Sequence, residues 1–217
     1  MTIEELRDRV RKLLDIPPSS SLLKRSIKII LPNKNNIVSF IVLIFISIGI
    51  SILIGMSNDT VVLFRKAVEL FNTIILVLIG VVFTGYAIFQ ALIQRDLLIR
   101  LLSADSKNKT KGEIGVKSLL QENNEYFAII MMLYITNILF NVVLIMVFNT
   151  VPDNFVATQN WGLNNIIAIF LLLIYVFYSL KSIWEMKCFV YNVFQLFNAH
   201  AGTNAMQILN KGNNNGD

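Results

Sequence analysis

Cysteine and histidine are nearly absent: the chain has one of each, Cys188 and His200. A lone cysteine forms no intrachain disulfide, so nothing points to an oxidising compartment. Neither residue has a same-type neighbour for a metal cluster, and Cys188 reads as a small buried apolar side chain. Charge is scarce too. Only 15% of the 217 residues are Asp, Glu, Lys or Arg, against about 25% in soluble domains. The deficit is concentrated in four long uncharged runs, which fits lipid better than one large core. No Asp, Glu, Lys, Arg or His falls between the ends of those runs. This argues against a proton-driven carrier and against intramembrane hydrolysis by a serine–histidine or paired-aspartate site. A Walker-type glycine loop and a dinucleotide fingerprint are missing as well. The sequence is therefore read as a non-enzyme with no cofactor and no metal. A cleavable signal peptide is not expected either, because the first apolar run starts at Ile37, behind a charged segment and without a small-residue cleavage site after it.

What is present is hydrophobic length: 55% of residues are apolar. The expected fold is all-α, a polytopic membrane protein with four transmembrane helices and cytoplasmic helical extensions. The spans are placed at residues 37–55, 72–92, 126–147 and 166–180. At about 1.5 Å per residue, the nineteen residues of the first run cover close to the 30 Å of a hydrocarbon core. Residues 1–36 precede the spans. Within them, 2–14 have amphipathic spacing with a capping-box pair, Thr2 and Glu5. Pro17 and Pro18 end that piece. A second amphipathic piece, 22–31, puts Leu23, Ile27 and Ile30 on one side, with Leu22 and Leu31 at its edges and Ser26 among them, and Lys24, Arg25 and Lys28 on the other, with Ile29 out of pattern. Such a helix lies in the headgroup layer, with Lys24, Arg25 and Lys28 as contacts for lipid phosphates or an anionic ligand.

Between the second and third spans, residues 93–125 form a helix extension and a polar loop. The helical pattern of the second span continues through Arg95, Leu97, Leu98 and Leu101. Residues 148–165 form the second outer connection. Residues 181–217 extend the fourth span through Trp184, Cys188, Val193 and Phe197 before a polar tail. Orientation follows from Lys and Arg: seventeen lie in the segments 1–36, 93–125 and 181–217, and two, Arg65 and Lys66, in the first outer connection. That asymmetry predicts a cell-membrane protein with both termini cytoplasmic. The net charge of +5 comes from cations flanking the spans. It therefore suits anionic lipid, and no duplex nucleic-acid binding is expected. Tyr126, Trp161 and Trp184 fit an interfacial aromatic belt. The triplets Asn58–Thr60 and Asn108–Thr110 resemble glycosylation sites but fall on opposite sides of this topology, so chance accounts for them. Abundant Ile, Asn and Lys suggest an AT-rich bacterial gene and hence a bacterial inner membrane.

The spans carry a few neutral polar residues at helical spacing: Tyr134, Asn137 and Asn141 in the third, Tyr86 and Gln90 in the second. A carboxamide facing hydrocarbon is costly, so these residues face protein or water. They either hydrogen-bond between helices or line a pore between subunits. Ser47, Ser51 and Gly55 recur every four residues in the first span and suit close helix packing, within or between subunits. The segments on the basic side are either a compact module or loose interfacial helices.

With uncharged spans, basic cytoplasmic helices and almost no outer part, the chain resembles in architecture the small multi-pass effectors of bacterial anti-phage systems. In those systems a cytosolic partner detects infection and the membrane subunit disrupts the envelope. The resemblance implies a homo-oligomeric channel or pore-type effector, gated by a cytoplasmic protein or an anionic ligand. The alternative is a non-conducting anchor or sensor that recruits a soluble partner.

Overall fold

A computed structural model describes residues 3–15, 17–32, 36–104 and 117–214. Thr2 of the capping-box pair and the Asn108–Thr110 triplet lie outside them. Within these residues the chain forms α1 (Ile3–Leu14), α2 (Ser19–Ile29), α3 (Ile37–Gly55), α4 (Thr60–Leu92), α5 (Arg95–Ser103), α6 (Leu119–Thr150) and α7 (Trp161–Asn214). The fold is all-α, and α3, α4, α6 and α7 are long and apolar enough to cross a membrane. Their outward faces are greasy: Leu53 is 76% exposed and Phe45 69%. Large apolar side chains spread over every outer face in this way belong in lipid, which marks a multi-pass membrane protein.

Local chemistry explains the helix ends. Ser118 caps α6 by accepting a hydrogen bond from the Gln121 amide at 3.2 Å. Asn160 does the same for α7, its Oδ1 accepting from the amides of Gly162 (3.0 Å) and Leu163 (3.3 Å). That cap starts α7 at Trp161, five residues before the expected edge of the fourth span. The helix then runs 54 residues, about 80 Å. Pro18 stands at the start of α2, where its missing amide is harmless. The second span does not continue straight into its extension. Helix α4 stops at Leu92, Ile93 and Gln94 leave helical geometry, and α5 restarts at Arg95. The break turns the Leu97–Leu101–Leu102 face of α5 onto α6 and α7.

In the bundle α4 packs on α6 and α3 on α7, with α4 also meeting α7. Small residues set the two closest approaches. A Cβ on Gly55 would collide with the Ile169 side chain, and one on Gly85 would sit 2.5 Å from the Phe189 ring. Ser47, Ser51 and Gly55 are all buried on α3, within a single copy of the chain.

Helices α1, α2 and α5 gather with the start of α6 and the end of α7 at one end of the bundle, called here the basic end. They form a packed module rather than loose helices. Arg9 donates to the Leu102 carbonyl (2.8 Å), Gln121 to the Lys12 carbonyl (3.2 Å) and Arg100 to the Thr203 hydroxyl (3.4 Å). Helix α2 docks on α6 through a face turned slightly from the expected one. Ser26 of the expected side is fully buried, but Ile29 packs into the core and Ile27 is exposed. The amphipathic pattern alone favours Leu23–Ile27–Ile30, but Arg25 turns the helix by pairing with Glu125 of α6, which also takes Lys117 at 2.9 Å. Arg25 thus faces protein rather than an outer surface, whereas Lys24 and Lys28 remain exposed. At the far end Arg65 clamps the α6–α7 connection. It donates to the carbonyls of Phe148 (2.8 Å) and Val151 (3.3 Å) and pairs with Asp153 at 3.0 Å.

Candidate functional site: a polar seam inside the bundle

The polar residues of the third span lie on the inner face of α6. Tyr134, Asn137 and Asn141 have no exposure at all, so they face the interior of the chain's own bundle and not an outer surface between copies. Across from them α7 presents Tyr175, Ser179 and Ser182, spaced four and three apart and likewise buried. Two contacts fix the antiparallel register: the Tyr175 hydroxyl donates to Asn141 Oδ1 at 3.1 Å, and the Tyr134 hydroxyl donates to the Ser182 carbonyl at 3.3 Å. Midway between them, that register sets Asn137 opposite Ser179. The backbones of α6 and α7 stay further apart than those of α4 and α6 or of α3 and α7. Long side chains bridge the gap.

The seam continues into a feature that the apolar-run reading misses. Lys181 and Glu185, on successive turns of α7, form an ion pair with only 3% and 5% of their surface exposed. Because Ser182 meets Tyr134, this pair lies opposite a point eight residues beyond Tyr126 in α6, about 12 Å along that helix. The pair follows directly on the apolar run that ends at Leu180, and Glu185 is within electrostatic reach of the Tyr126 and Tyr134 hydroxyls. A charge pair removed from water is tolerated because each ion satisfies the other. The signal was present in the sequence as a Lys and a Glu one turn apart, flanked on both sides by apolar residues that continue the helix.

Several seam atoms have no hydrogen-bond partner within the chain: both carboxamide atoms of Asn137, Nδ2 of Asn141 and Oδ1 of Asn72 on α4. The Phe64–Phe148 and Gln90–Asn124 contacts set the register of α4 on α6, and it places Asn72 level with Asn141. Beyond them, toward the far end, the interior turns aromatic. Phe64 packs on Phe148 (ring centroids 4.7 Å apart) and on Tyr175 (5.5 Å), and Phe71 packs on Tyr175 (5.8 Å).

The other sequence-selected residues lie elsewhere. Tyr86 packs on Phe127 (centroids 5.4 Å). It also lines a cavity of about 300 Å³ at the basic end, with Leu13, Leu22, Gln121 and Asn124 among its walls. Gln90 is exposed and its amide reaches Asn124 Oδ1 at 3.4 Å. Among the described residues no cluster of His, Cys, Asp or Glu is arranged to hold a metal.

No protein-family model, no curated protein and no solved structure matches this chain.

Proposed function

We propose that the chain is a homo-oligomeric membrane channel or pore-type effector, with its conduit between copies and its gate in the basic-end module. The observation that carries this reading is the outer face of α4. Thr73, Val77, Gly80, Thr84, Ala87 and Ala91 are all exposed and recur at alternating steps of four and three, the spacing at which two helices mesh. Apart from Gly49 on α3, the exposed residues of α3, α6 and α7 at span depth are large and apolar, whereas α4 offers a narrow, hydroxyl-bearing stripe. Thr73 and Thr84 donate to carbonyls of their own helix at 2.9 Å, and a Cβ at Gly80 would meet nothing within 4 Å. Small, smooth faces of this kind let backbones of separate helices approach closely in lipid. Gln90 extends the polar character toward the basic end, where the packed module of α1, α2 and α5 is joined directly to α4 and α6. The same architecture supports a place among anti-phage membrane effectors, with a cytoplasmic protein or an anionic ligand as trigger.

A voltage-sensitive dye in cells expressing the chain with its genomic neighbours, under the triggering stimulus, tests this reading. Depolarisation is expected, and a Gly80→Leu/Thr84→Leu variant should abolish it and lose cross-linked oligomers. Unchanged membrane potential in the triggered wild type removes the pore. The runner-up, a non-conducting anchor, is favoured by the exposed Val190, Tyr191 and Phe194 near the basic end of α7, a surface suited to a soluble partner. Deleting residues 1–31 discriminates: an anchor loses partner capture, whereas a pore changes its gating.

A further inference from the structure

The interior between α4, α6 and α7 is polar. Four unpartnered polar atoms lie in it, on Asn72, Asn137 and Asn141. A buried polar atom left without a partner carries the full cost of having lost water. Water is the partner that satisfies donors and acceptors alike, and the site is polar enough to hold it. The Asn141 amide and the Asn72 carbonyl stand at one level of the bundle and supply an unpartnered donor and an unpartnered acceptor.

We propose that this seam is an internal water file that passes protons, closed at its far end by an aromatic gate. The file runs from the Tyr126 hydroxyl past the Lys181–Glu185 pair, the Tyr134 hydroxyl and Asn137, ending at Asn141. From Tyr126 to Asn141 it covers about 22 Å. Beyond Asn141 and Asn72, the rings of Phe64, Phe71, Phe148 and Tyr175 fill the interior, and a constriction lined by such rings stops conduction by excluding water. Tyr175 belongs to both parts, its ring in the gate and its hydroxyl on Asn141. Protons enter at one end and leave at the other by hopping between waters, so the net charge of the seam does not change. This path lies within one copy and does not depend on the conduit between copies.

Liposomes containing the purified full-length chain and an internal pH dye test the inference, with proton entry driven by a valinomycin-clamped potential. Removing the gate ring with Phe71→Ala should raise proton entry at least tenfold over wild type. Adding Asn137→Leu, which interrupts the file with an isosteric apolar side chain, should return it to the wild-type level. A Phe45→Ala control loses an equal ring from the exposed outer face of α3 and should leave entry unchanged. Equal entry for wild type and Phe71→Ala overturns the proposal, as does failure of Asn137→Leu to suppress the leak or an equal leak through Phe45→Ala. Potassium flux in vesicles lacking valinomycin reports the between-copy conduit separately and should respond to Gly80→Leu/Thr84→Leu, not to Asn137→Leu.

Discussion

Two charged side chains decide how the bundle interior behaves. Because Lys181 and Glu185 are both nearly inaccessible, removing one strands the other. Lys181→Ala or Glu185→Ala should each destabilise the fold by about 3–5 kcal/mol, while Lys181→Met/Glu185→Leu, an apolar pair of similar volume, should cost less than about 1 kcal/mol. Reversible unfolding of the detergent-solubilised chain reads the difference, and equal losses for single and double variants would show that the pair is not closed as described. A second residue-scale test is Gly55→Val. Even a Cβ at this position runs into Ile169, so a valine side chain should separate α3 from α7 at a cost of about 1–3 kcal/mol, measured in the same unfolding assay. The sequence shows the small-residue stripe of α3 and the polar stripe of α6 plainly, since helical periodicity alone places them. It does not show which way a stripe faces. Tyr134, Asn137 and Asn141 are as polar as a pore lining and sit inside the chain's own bundle, because α7 carries Tyr175, Ser179 and Ser182 at matching spacing 34 to 48 residues away.

At the scale of the helix, the four long elements follow from apolar length, and their ends follow from capping. What periodicity misses is local. The α4–α5 break rests on two residues, Ile93 and Gln94, with no Pro or Gly to announce it. The turn of α2 depends on Glu125, a hundred positions away from Arg25. Ser26 is the sharpest probe of that docking. Ser26→Leu puts a large side chain where there is no exposure and should undock α2 at a cost of about 1–3 kcal/mol, raising tryptic cleavage between α2 and α3 roughly tenfold. Lys24→Ala, on the exposed side, should leave cleavage unchanged. Charge reversal at Lys24 and Lys28 should instead weaken binding to anionic vesicles by about 1 kcal/mol per site, an effect that neutral vesicles would not show.

The whole molecule is one bundle with a packed module at its basic end, and each functional proposal needs four helices in lipid. Backbone amides and carbonyls in hydrocarbon must be bonded internally, which makes every long apolar run a helix. The distribution of Lys and Arg predicts which ends share a side. Reporter fusions that are active on only one side of the membrane test this most directly, placed after Asn58, Ser106, Asn154 and Asp217. The account predicts cytoplasmic activity at Ser106 and Asp217, external activity at Asn58 and Asn154, and a chain that stays with the membrane after alkaline extraction. Reporters after Asn154 and Asp217 on the same side, or a chain released by alkali, would contradict it.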